Sequence, residues 1–200
     1  MTDTELIEKF LIGDIGAFNQ LVWRWEKSIF NFILKMSGDF EASKDICQKT
    51  FIKAFKGLKK LNDHTKFKTW LYQIAVNHCR DEIRRQKKHK MISIEKLQED
   101  CEEGAILPEN LVSDGRNSPD FHWNQKEIRE ILDQAFERIP EEQRLVIIMK
   151  EYQGLKFSEI AEILNQSINT TKSRMYYGLN ALRKVFDQWD IKKEAFEYDL

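Results

Sequence analysis

The chain has 200 residues, which is enough for one or two domains, and 42% of them are hydrophobic, which is enough for a packed core. The formal net charge of −1 does not by itself indicate a nucleic-acid-binding protein. No apolar run approaches the roughly 20 residues of a membrane-spanning helix, and the N-terminus lacks a signal-peptide pattern, so we expect no membrane insertion.

Charge is unevenly distributed along the chain. Residues 53–90 contain twelve lysines and arginines and three acids, whereas residues 91–120 contain eight acids and two cations. A basic block beside an acidic block indicates that the two segments have different functions, because each must be either solvated or bound by its own partner.

The cysteines and histidines give no sign of a catalytic or metal site. Cys47, Cys79 and Cys101 are odd in number and lack CxxC spacing, which argues against a disulfide framework or a zinc site and favours the reducing cytoplasm. None of the four histidines lies at a recognisable spacing from a nucleophile or a paired carboxylate. We therefore expect no catalytic residue, no metal and no cofactor.

The N-terminal part of the chain predicts a short helix followed by a long one. Thr2 and Glu5 have the spacing of a capping box, and apolar residues at helical spacing follow them. A second apolar-periodic stretch predicts a helix over residues 17–36, and Gly38 is suited to ending it in a left-handed conformation.

A third helix is predicted over residues 40–56, with Asp39 as its N-cap. Its inward positions are Ile46, Cys47, Phe51, Ala54, Phe55 and Leu58. Asp45, Gln48 and Ile52 recur at steps of three and four residues on the outside, and we call them the contact strip. An exposed isoleucine beside an acid and an amide indicates a surface for another protein, although a single surface isoleucine needs no explanation.

Residues 64–88 predict a helix with two different faces. The apolar face comprises Phe67, Leu71, Ile74, Ala75 and His78, with Trp70 and Ile83 at its edges. The polar face comprises Lys66, Lys68, Tyr72, Gln73, Asn77, Arg80, Arg84 and Arg85. Rings stack on bases and cations follow phosphates, so this polar face suits single-stranded DNA. An ordinary amphipathic helix with a solvated basic face is the alternative that this stretch leaves open.

Helical periodicity fails after Lys90. Residues 91–118 contain Gly104, Pro108, Gly115 and most of the acids, which favours a linker with little fixed structure. We therefore predict an all-α fold of two small helical domains, residues 2–90 and 121–186. A flexible acidic linker over residues 91–120 joins them, and residues 187–200 form a tail that we do not assign.

Residues 155–186 have the pattern of a helix-turn-helix. The first helix presents Ile160, Ile163 and Leu164 inward, and Asn165 can adopt the left-handed conformation of a tight turn. The second helix places Ile168, Met175, Leu179 and Leu182 on one side. Its other side carries Asn169, Thr170, Lys172, Ser173, Arg174, Tyr176 and Tyr177. Residues 165–184 contain four cations and no acid, as expected of a recognition helix that enters a major groove.

Taken as a whole, the chain resembles the bacterial sigma-70 family, in its extracytoplasmic-function (ECF) class. Four stretches carry the resemblance in the family's order, namely GDIGAFNQLVWRW, DICQKTFIKAFKGL, FKTWLYQIAVNHCRDEIRR and IPEEQRLVIIMKEYQGLKFSEIAEILNQSINTTKSRMYYGLNALRK. The resemblance implies a sigma factor that binds core RNA polymerase, directs it to specific promoters and stabilises the melted minus-ten strand.

The resemblance also implies roles for individual residues. Polymerase docking, on the β and β′ subunits, falls to Asp45, Gln48 and Ile52. Minus-ten DNA falls to Asn62, Asp63, His64, Thr65, Lys66, Phe67, Tyr72, Asn77, Arg80, Arg84 and Arg85, with residues 62–65 where the family captures a flipped-out base. Minus-thirty-five DNA falls to Asn169, Thr170, Lys172, Ser173, Arg174 and Tyr177. The implied partners are core polymerase, promoter DNA in duplex and single-stranded form, and an anti-sigma factor.

Four positions depart from the family pattern. Lys49 stands where an acid is common, Lys156 replaces a capping residue, Thr171 occupies a normally aliphatic inward position, and Tyr177 stands where a basic residue is frequent.

Two other classes of protein stay open from the residues alone. One is a stand-alone helix-turn-helix regulator of duplex DNA, and the other is a helical adaptor with no nucleic-acid role.

Overall fold

A computed structural model describes residues 1–100 and 125–191, and the secondary structure within these ranges is entirely helical. The eight α-helices in these ranges are α1 (Asp3–Leu11), α2 (Ile15–Ser37), α3 (Phe40–Gly57), α4 (Phe67–Asp100), α5 (Gln125–Glu137), α6 (Glu141–Ile147), α7 (Phe157–Ile163) and α8 (Ile168–Gln188). The predicted all-α fold with two helical units is confirmed. Most of the predicted linker, with Cys101, lies outside the described residues, as do the predicted start of the second unit at Phe121 and most of the C-terminal tail.

The helix ends in the first unit follow the capping residues of the sequence. Thr2 and Glu5 form the predicted capping box, because each side chain accepts a hydrogen bond from the other residue's backbone N–H. Gly38 ends α2 in a left-handed conformation at φ 69°, and the Asp39 carboxylate accepts from the backbone N–H of Ala42 at 2.8 Å to begin α3. An additional cap, Asp14, begins α2 two residues earlier than predicted.

The first unit packs α2, α3 and α4 around a core with aromatic residues at one end. The rings of Phe10, Phe18 and Phe55 meet with centroid separations of 5.1 to 5.4 Å. Phe55 nevertheless keeps 42% of its surface exposed, so the prediction that it points fully inward is wrong. Phe55 lies at the rim of a groove between α2 and α3, and the side of its ring that faces the groove stays open.

Helix α4 differs from the prediction at both ends. Residues His64–Lys66 form a separate turn of 3₁₀ helix, and α4 itself begins at Phe67. It then continues to Asp100, twelve residues beyond the predicted end and into the predicted linker. No glycine or proline occurs between Phe67 and Gly104, so nothing in the backbone chemistry forces an earlier stop.

The second unit contains the predicted helix-turn-helix, formed by α7 and α8. Asn165 adopts φ 50° in the turn, as predicted, and the Ser167 hydroxyl caps α8 by accepting from the backbone N–H of Thr170. A Cβ on Gly178 would lie 2.8 Å from Cδ1 of Ile147, so the glycine allows α8 to approach α6 closely.

The inward face of α8 is formed by Thr171, Met175, Gly178, Leu182 and Val185. Ile168 and Leu179 lie nearly half exposed, so grouping them with Met175 and Leu182 on one buried side was wrong. Ile168 is the first residue of α8, and 45% of its surface is exposed there.

The two units pack against each other, and their buried side chains form one continuous hydrophobic cluster. Helix α4 of the first unit contacts α7, and the π-helical turn Ile148–Tyr152 that follows α6 contacts α2. This arrangement places the polar face of α4 next to the helix-turn-helix.

Candidate nucleic-acid interface

The C-terminal half of the polar face on α4 faces solvent. Asn77, Arg84 and Arg85 are exposed, as predicted, and the side chains of the two arginines are 77% and 66% exposed. Each arginine is paired with a neighbouring acid of its own helix, Asp81 at 3.7 Å for Arg84 and Glu82 at 2.8 Å for Arg85. Exposed pairs at this spacing are weak, so both guanidinium groups can exchange these partners for phosphates.

Tyr72 does not share that exposure, and its predicted position on an open face is wrong. Only 2% of its surface is exposed, its ring packs edge-on against Phe32 at 5.5 Å, and its hydroxyl donates to Oε1 of Gln153 at 2.8 Å. Burial, and then the nearby Glu159 carboxylate, raises the pKa of Tyr72 above its usual value. The second unit covers this part of α4, which a pattern along one helix cannot reveal.

Phe67 is also buried, as the periodicity of the apolar face predicts, and its ring contacts Trp70 at 6.1 Å. Its ring is therefore inaccessible to a base in this conformation, and the DNA role that the resemblance implies for it remains a prediction. Gln73, on the polar face, is half-buried.

The loop that precedes α4 is ordered by its own side chains. Oδ1 of Asp63 accepts hydrogen bonds from the backbone N–H and the hydroxyl of Thr65, and these bonds, the hydroxyl first, hold the pKa of Asp63 below its usual value. Asn62, Asp63 and Thr65 are exposed and His64 is half-buried. A fixed, open loop of this kind suits a base that has left its stack.

Three cations of the α4 region are paired with acids of the second unit. Lys66 binds Glu162 at 2.6 Å, Lys68 binds Glu159 at 2.9 Å, and Arg80 binds Glu142 at 2.8 Å. Sequence reasoning missed these acids, because the residues of each pair lie 62 to 96 positions apart in the chain.

The outward side of α8 is exposed at Asn169, Thr170, Lys172, Ser173, Tyr176 and Tyr177. The two tyrosine rings meet edge-on at 5.6 Å, forming an aromatic step on the surface. Arg174 is only half-exposed, because it donates to Oε2 of Glu142 at 2.7 Å and to Oε1 of Gln166. The predicted recognition side is therefore present, with Arg174, one of its two cations, held by Glu142 and Gln166 of the same unit.

Buried Thr171 is accommodated by the turn of the helix-turn-helix. Its hydroxyl donates to the backbone carbonyl of Ser167 at 3.0 Å and accepts from the Gln166 amide at 2.9 Å. Lys156, the other unusual residue here, has no acceptor with which to cap α7. The Glu159 carboxylate instead accepts from the Lys156 backbone N–H at 2.7 Å.

The contact strip on α3 is exposed as predicted, and Ile52 shows 47% of its surface. Lys49 lies 3.2 Å from the Asp45 carboxylate, so this unusual lysine is paired with a residue of the strip. Gln48 and Ile52 also border the groove between α2 and α3, which has a volume of about 510 Å³ and is lined by Phe18, Val22, Phe51 and Phe55 among others. An apolar groove beside a polar strip suits a protein partner.

The thiols of the described residues lie in the core rather than at these surfaces. Burial raises the pKa of Cys47 to about 11 and that of Cys79 to about 12, so both stay protonated at neutral pH. His78 is half-buried, and desolvation lowers its pKa.

In residues 1–100 and 125–191 no group of histidines, cysteines or acids is arranged to hold a metal. No helix in the same ranges is both long and apolar enough to cross a bilayer.

Comparison with known families matches both halves of the chain. The model described as Sigma-70 region 2 matches residues 21–89, and the model described as Sigma-70, region 4 matches residues 129–182. The first match contains α3 and the exposed flank of α4, and the second contains the helix-turn-helix.

Curated relatives match over nearly the whole length. The chain is 32% identical to the ECF RNA polymerase sigma-E factor of Escherichia coli (strain K12) over 188 residues, which are 91% of this chain and 93% of that one. It is 33% identical to the ECF RNA polymerase sigma factor SigW of Bacillus subtilis (strain 168) over 172 residues, 86% of this chain and 90% of the relative.

Solved structures share the fold at lower identity. CnrH in complex with the cytosolic domain of CnrY has a TM-score of 0.65 at 19% identity, with 93% of this chain and 97% of that chain covered. The sigma factor RpoE of Bartonella quintana, in complex with the anti-sigma factor NepR, has a TM-score of 0.60 at 20% identity, with 86% and 98% covered. From these matches, the chain belongs to the ECF class of the sigma-70 family, transcription initiation factors that bind core RNA polymerase and promoter DNA.

Proposed function

We propose that this sigma factor holds the melted minus-ten strand on the exposed flank of α4 and reads the duplex minus-thirty-five element with α8. The observation that carries the proposal is the open flank of Asn77, Arg84 and Arg85, which stays in solvent although the second unit covers Tyr72 of the same polar face. Cations there would follow the strand's phosphates, and the ordered loop at residues 62–65 would receive an unstacked base.

The recognition side of α8 supports the second half of the proposal. Asn169, Lys172 and Ser173 lie on consecutive turns near the N-terminal end of the helix, which is the end that contacts base edges in helix-turn-helix proteins. Tyr176 and Tyr177 continue this surface toward the C-terminus with rings that can contact thymine methyl groups and hydroxyls that can contact phosphates.

Core polymerase would dock on the contact strip of α3, where Ile52 supplies an exposed apolar anchor between polar neighbours. We also propose an anti-sigma factor as a regulator, because the sigma factor RpoE of Bartonella quintana, which has a similar fold, was solved in complex with the anti-sigma factor NepR. The proposed promoter opening needs only binding by this chain. Capturing an unstacked base offsets the cost of opening the duplex, a few kcal/mol, so the chain need not hydrolyse a nucleotide.

Reconstitution with core polymerase tests the proposal. We expect the full chain to co-purify with core enzyme and to start transcription at discrete sites in a genomic library, with two shared sequence elements upstream of the mapped starts. Tight, sequence-specific binding to duplex DNA without any retention of core polymerase would favour a stand-alone helix-turn-helix regulator instead.

A further inference from the structure

The inward face of α8 contains one buried hydroxyl. Thr171 is fully buried, whereas the other inward residues of the helix are Met175, Gly178, Leu182 and Val185. A buried hydroxyl destabilises a fold unless it is hydrogen-bonded, and a valine has nearly the same branched shape without that requirement. What distinguishes Thr171 from an apolar residue of its shape is therefore the set of hydrogen bonds that its hydroxyl makes.

The hydroxyl of Thr171 acts both as a donor and as an acceptor. It donates to the backbone carbonyl of Ser167, the N-cap of α8, at 3.0 Å. Because its one hydrogen is used there, the oxygen can only accept from Gln166, whose Nε2 lies 2.9 Å away. The Gln166 amide is thereby oriented, with its NH₂ group on Thr171 and its Oε1 left to accept from another donor.

Arg174 is the donor to Oε1 of Gln166. A guanidinium has donors only, so a reversed amide would set its NH₂ group against the guanidinium. The three hydrogen bonds therefore run in one direction, from the guanidinium to the N-cap carbonyl of α8. The residues that these bonds join, which we call the Arg174 network, are Arg174, Gln166, Thr171 and Ser167.

The Arg174 guanidinium is held through one of its nitrogens. Nη1 donates to Oε1 of Gln166 and also to Oε2 of Glu142, the latter at 2.7 Å. Within residues 1–100 and 125–191, Nη2 and Nε of Arg174 make no hydrogen bond, and 32% of the side chain is exposed. These two adjacent nitrogens can therefore donate together to a pair of acceptors, such as those on the major-groove edge of guanine.

Two acceptors on Nη1 fix the guanidinium more completely than one. A single hydrogen bond to Glu142 leaves the group free to turn about that bond, whereas a second bond to Gln166 also fixes its plane. An arginine that is already fixed loses less side-chain freedom when it binds, so its contacts are stronger and more selective. Glu142 and Gln166 belong to the same helical unit as Arg174, so this orientation does not depend on the first unit.

We propose that Thr171 and Gln166 are positioning residues for promoter recognition, which orient the Arg174 guanidinium so that Nη2 and Nε meet base acceptors in the minus-thirty-five element. This role rests on the proposed function, in which α8 reads that element. Thr171 acts only through Gln166 and Arg174, because its own side chain is fully buried and cannot contact DNA.

The test uses holoenzyme made with the full chain and measures its preference for the minus-thirty-five element. A duplex promoter fragment from a mapped start competes with the same fragment in which that element is replaced by random sequence. The ratio of the two affinities is the preference, and a change in the folded fraction cancels from it because both fragments titrate the same holoenzyme. Thr171→Val removes the hydroxyl and keeps the branched shape, whereas Thr171→Ser keeps the hydroxyl.

Thr50→Val is the matched control. Thr50 is a fully buried threonine of α3, and its hydroxyl donates to the Ile46 carbonyl at 2.8 Å. This is the same bond, four residues back along a helix, that Thr171 makes to Ser167. Thr50 lies outside the Arg174 network, so its substitution removes an equivalent buried hydroxyl without affecting the guanidinium.

We expect Thr171→Val to lower the preference about fivefold, the factor that corresponds to one hydrogen bond, and Thr171→Ser and Thr50→Val to keep it within about twofold of the wild type. Gln166→Ala breaks the network at its middle and should match Thr171→Val. In an Arg174→Ala background, adding Thr171→Val should change the preference by less than about twofold, because no guanidinium is left to orient.

Two results would overturn the positioning role alone. One is a preference that falls in Arg174→Ala but not in Thr171→Val, and the other is an equal effect of Thr171→Val with and without Arg174. A wild-type preference in Arg174→Ala itself would overturn base reading by Arg174, and the positioning role with it. Failure of the inference and failure of the proposed function therefore give different results.

Discussion

The hydroxyl of Tyr72 donates a hydrogen bond to the side-chain carbonyl of Gln153 at 2.8 Å, joining α4 to the segment that follows α6. Removing the hydroxyl with Tyr72→Phe keeps the ring against Phe32 but leaves the Gln153 acceptor without this donor. We expect the free energy of unfolding to fall by about 1 kcal/mol, measured by urea denaturation.

The control for that prediction is Tyr177→Phe, since the Tyr177 side chain is 60% exposed and its hydroxyl can be solvated. This variant should unfold within about 0.5 kcal/mol of the wild type. If Tyr72→Phe lost no more stability than Tyr177→Phe, the hydrogen bond between the units would have no measurable value.

Glu159 gives the contact between the units a defined dependence on pH. Burial alone would raise the pKa of this carboxyl, but hydrogen bonds from the Lys156 backbone N–H and the Lys68 ammonium outweigh burial and hold the pKa below the usual 4.5. A carboxyl with a lowered pKa stabilises the fold fully above pH 4.5, and that contribution is lost as the pH falls through the folded-state pKa.

The stability difference between wild type and Glu159→Gln should therefore be largest near pH 6 and should shrink as the pH falls from about 4.5 to 3. Urea titrations of both proteins at several pH values measure this difference. A difference that stays constant over the whole range would show that the charge on Glu159 does not stabilise the fold.

The contact strip predicts a specific defect in polymerase binding. Ile52→Ala removes most of an exposed apolar side chain from α3 without disturbing the core. We expect affinity for core polymerase to fall by about tenfold, because a buried interface side chain of this size contributes about 1.5 kcal/mol.

Ile15→Ala is the matched control, since Ile15 is a 64% exposed isoleucine at the start of α2. Competition with a labelled sigma factor for core enzyme gives both affinities. Equal losses in the two variants, or no loss in either, would place the docking surface elsewhere.

Arg174 lies on the recognition side of α8 and also binds Glu142, and one substitution removes both features. Arg174→Ala removes a cation from the recognition side and also one of the two donors to Glu142. We expect preference for the minus-thirty-five element over random duplex to fall about tenfold or more, the usual cost of losing a base contact. Exposed Arg129 of α5 provides the control as Arg129→Ala, and an unchanged preference in Arg174→Ala would exclude base reading by this residue.

Local features of the structure were largely predictable from the sequence. The left-handed turn at Asn165 and the inward Phe67 follow from periodicity and capping, which act within a few residues. The exposed Arg84 and Ile52 were found in the same way, because each lies on a helix whose opposite face is apolar.

Features that depend on contact between the units were not predictable. Tyr72 has the spacing of a surface residue, but its ring packs against Phe32 and its hydroxyl binds Gln153, 81 positions later. No local sequence pattern distinguishes Glu142 and Glu159 from other surface acids, so their contacts with α4 could not be predicted. The long α4 was missed for a different reason, since weak apolar periodicity after Lys90 does not end a helix that has no breaker.

The most direct test of the central claim is permanganate footprinting of one promoter with core polymerase and either Arg84→Ala or Arg174→Ala. If α4 holds the opened strand and α8 reads the duplex, Arg84→Ala should still recruit polymerase to the promoter but leave the minus-ten thymines unreactive. Arg174→Ala should reduce recruitment itself. Full minus-ten reactivity with Arg84→Ala, at a promoter occupancy equal to that of the wild type, would contradict the role of the exposed α4 flank in promoter opening.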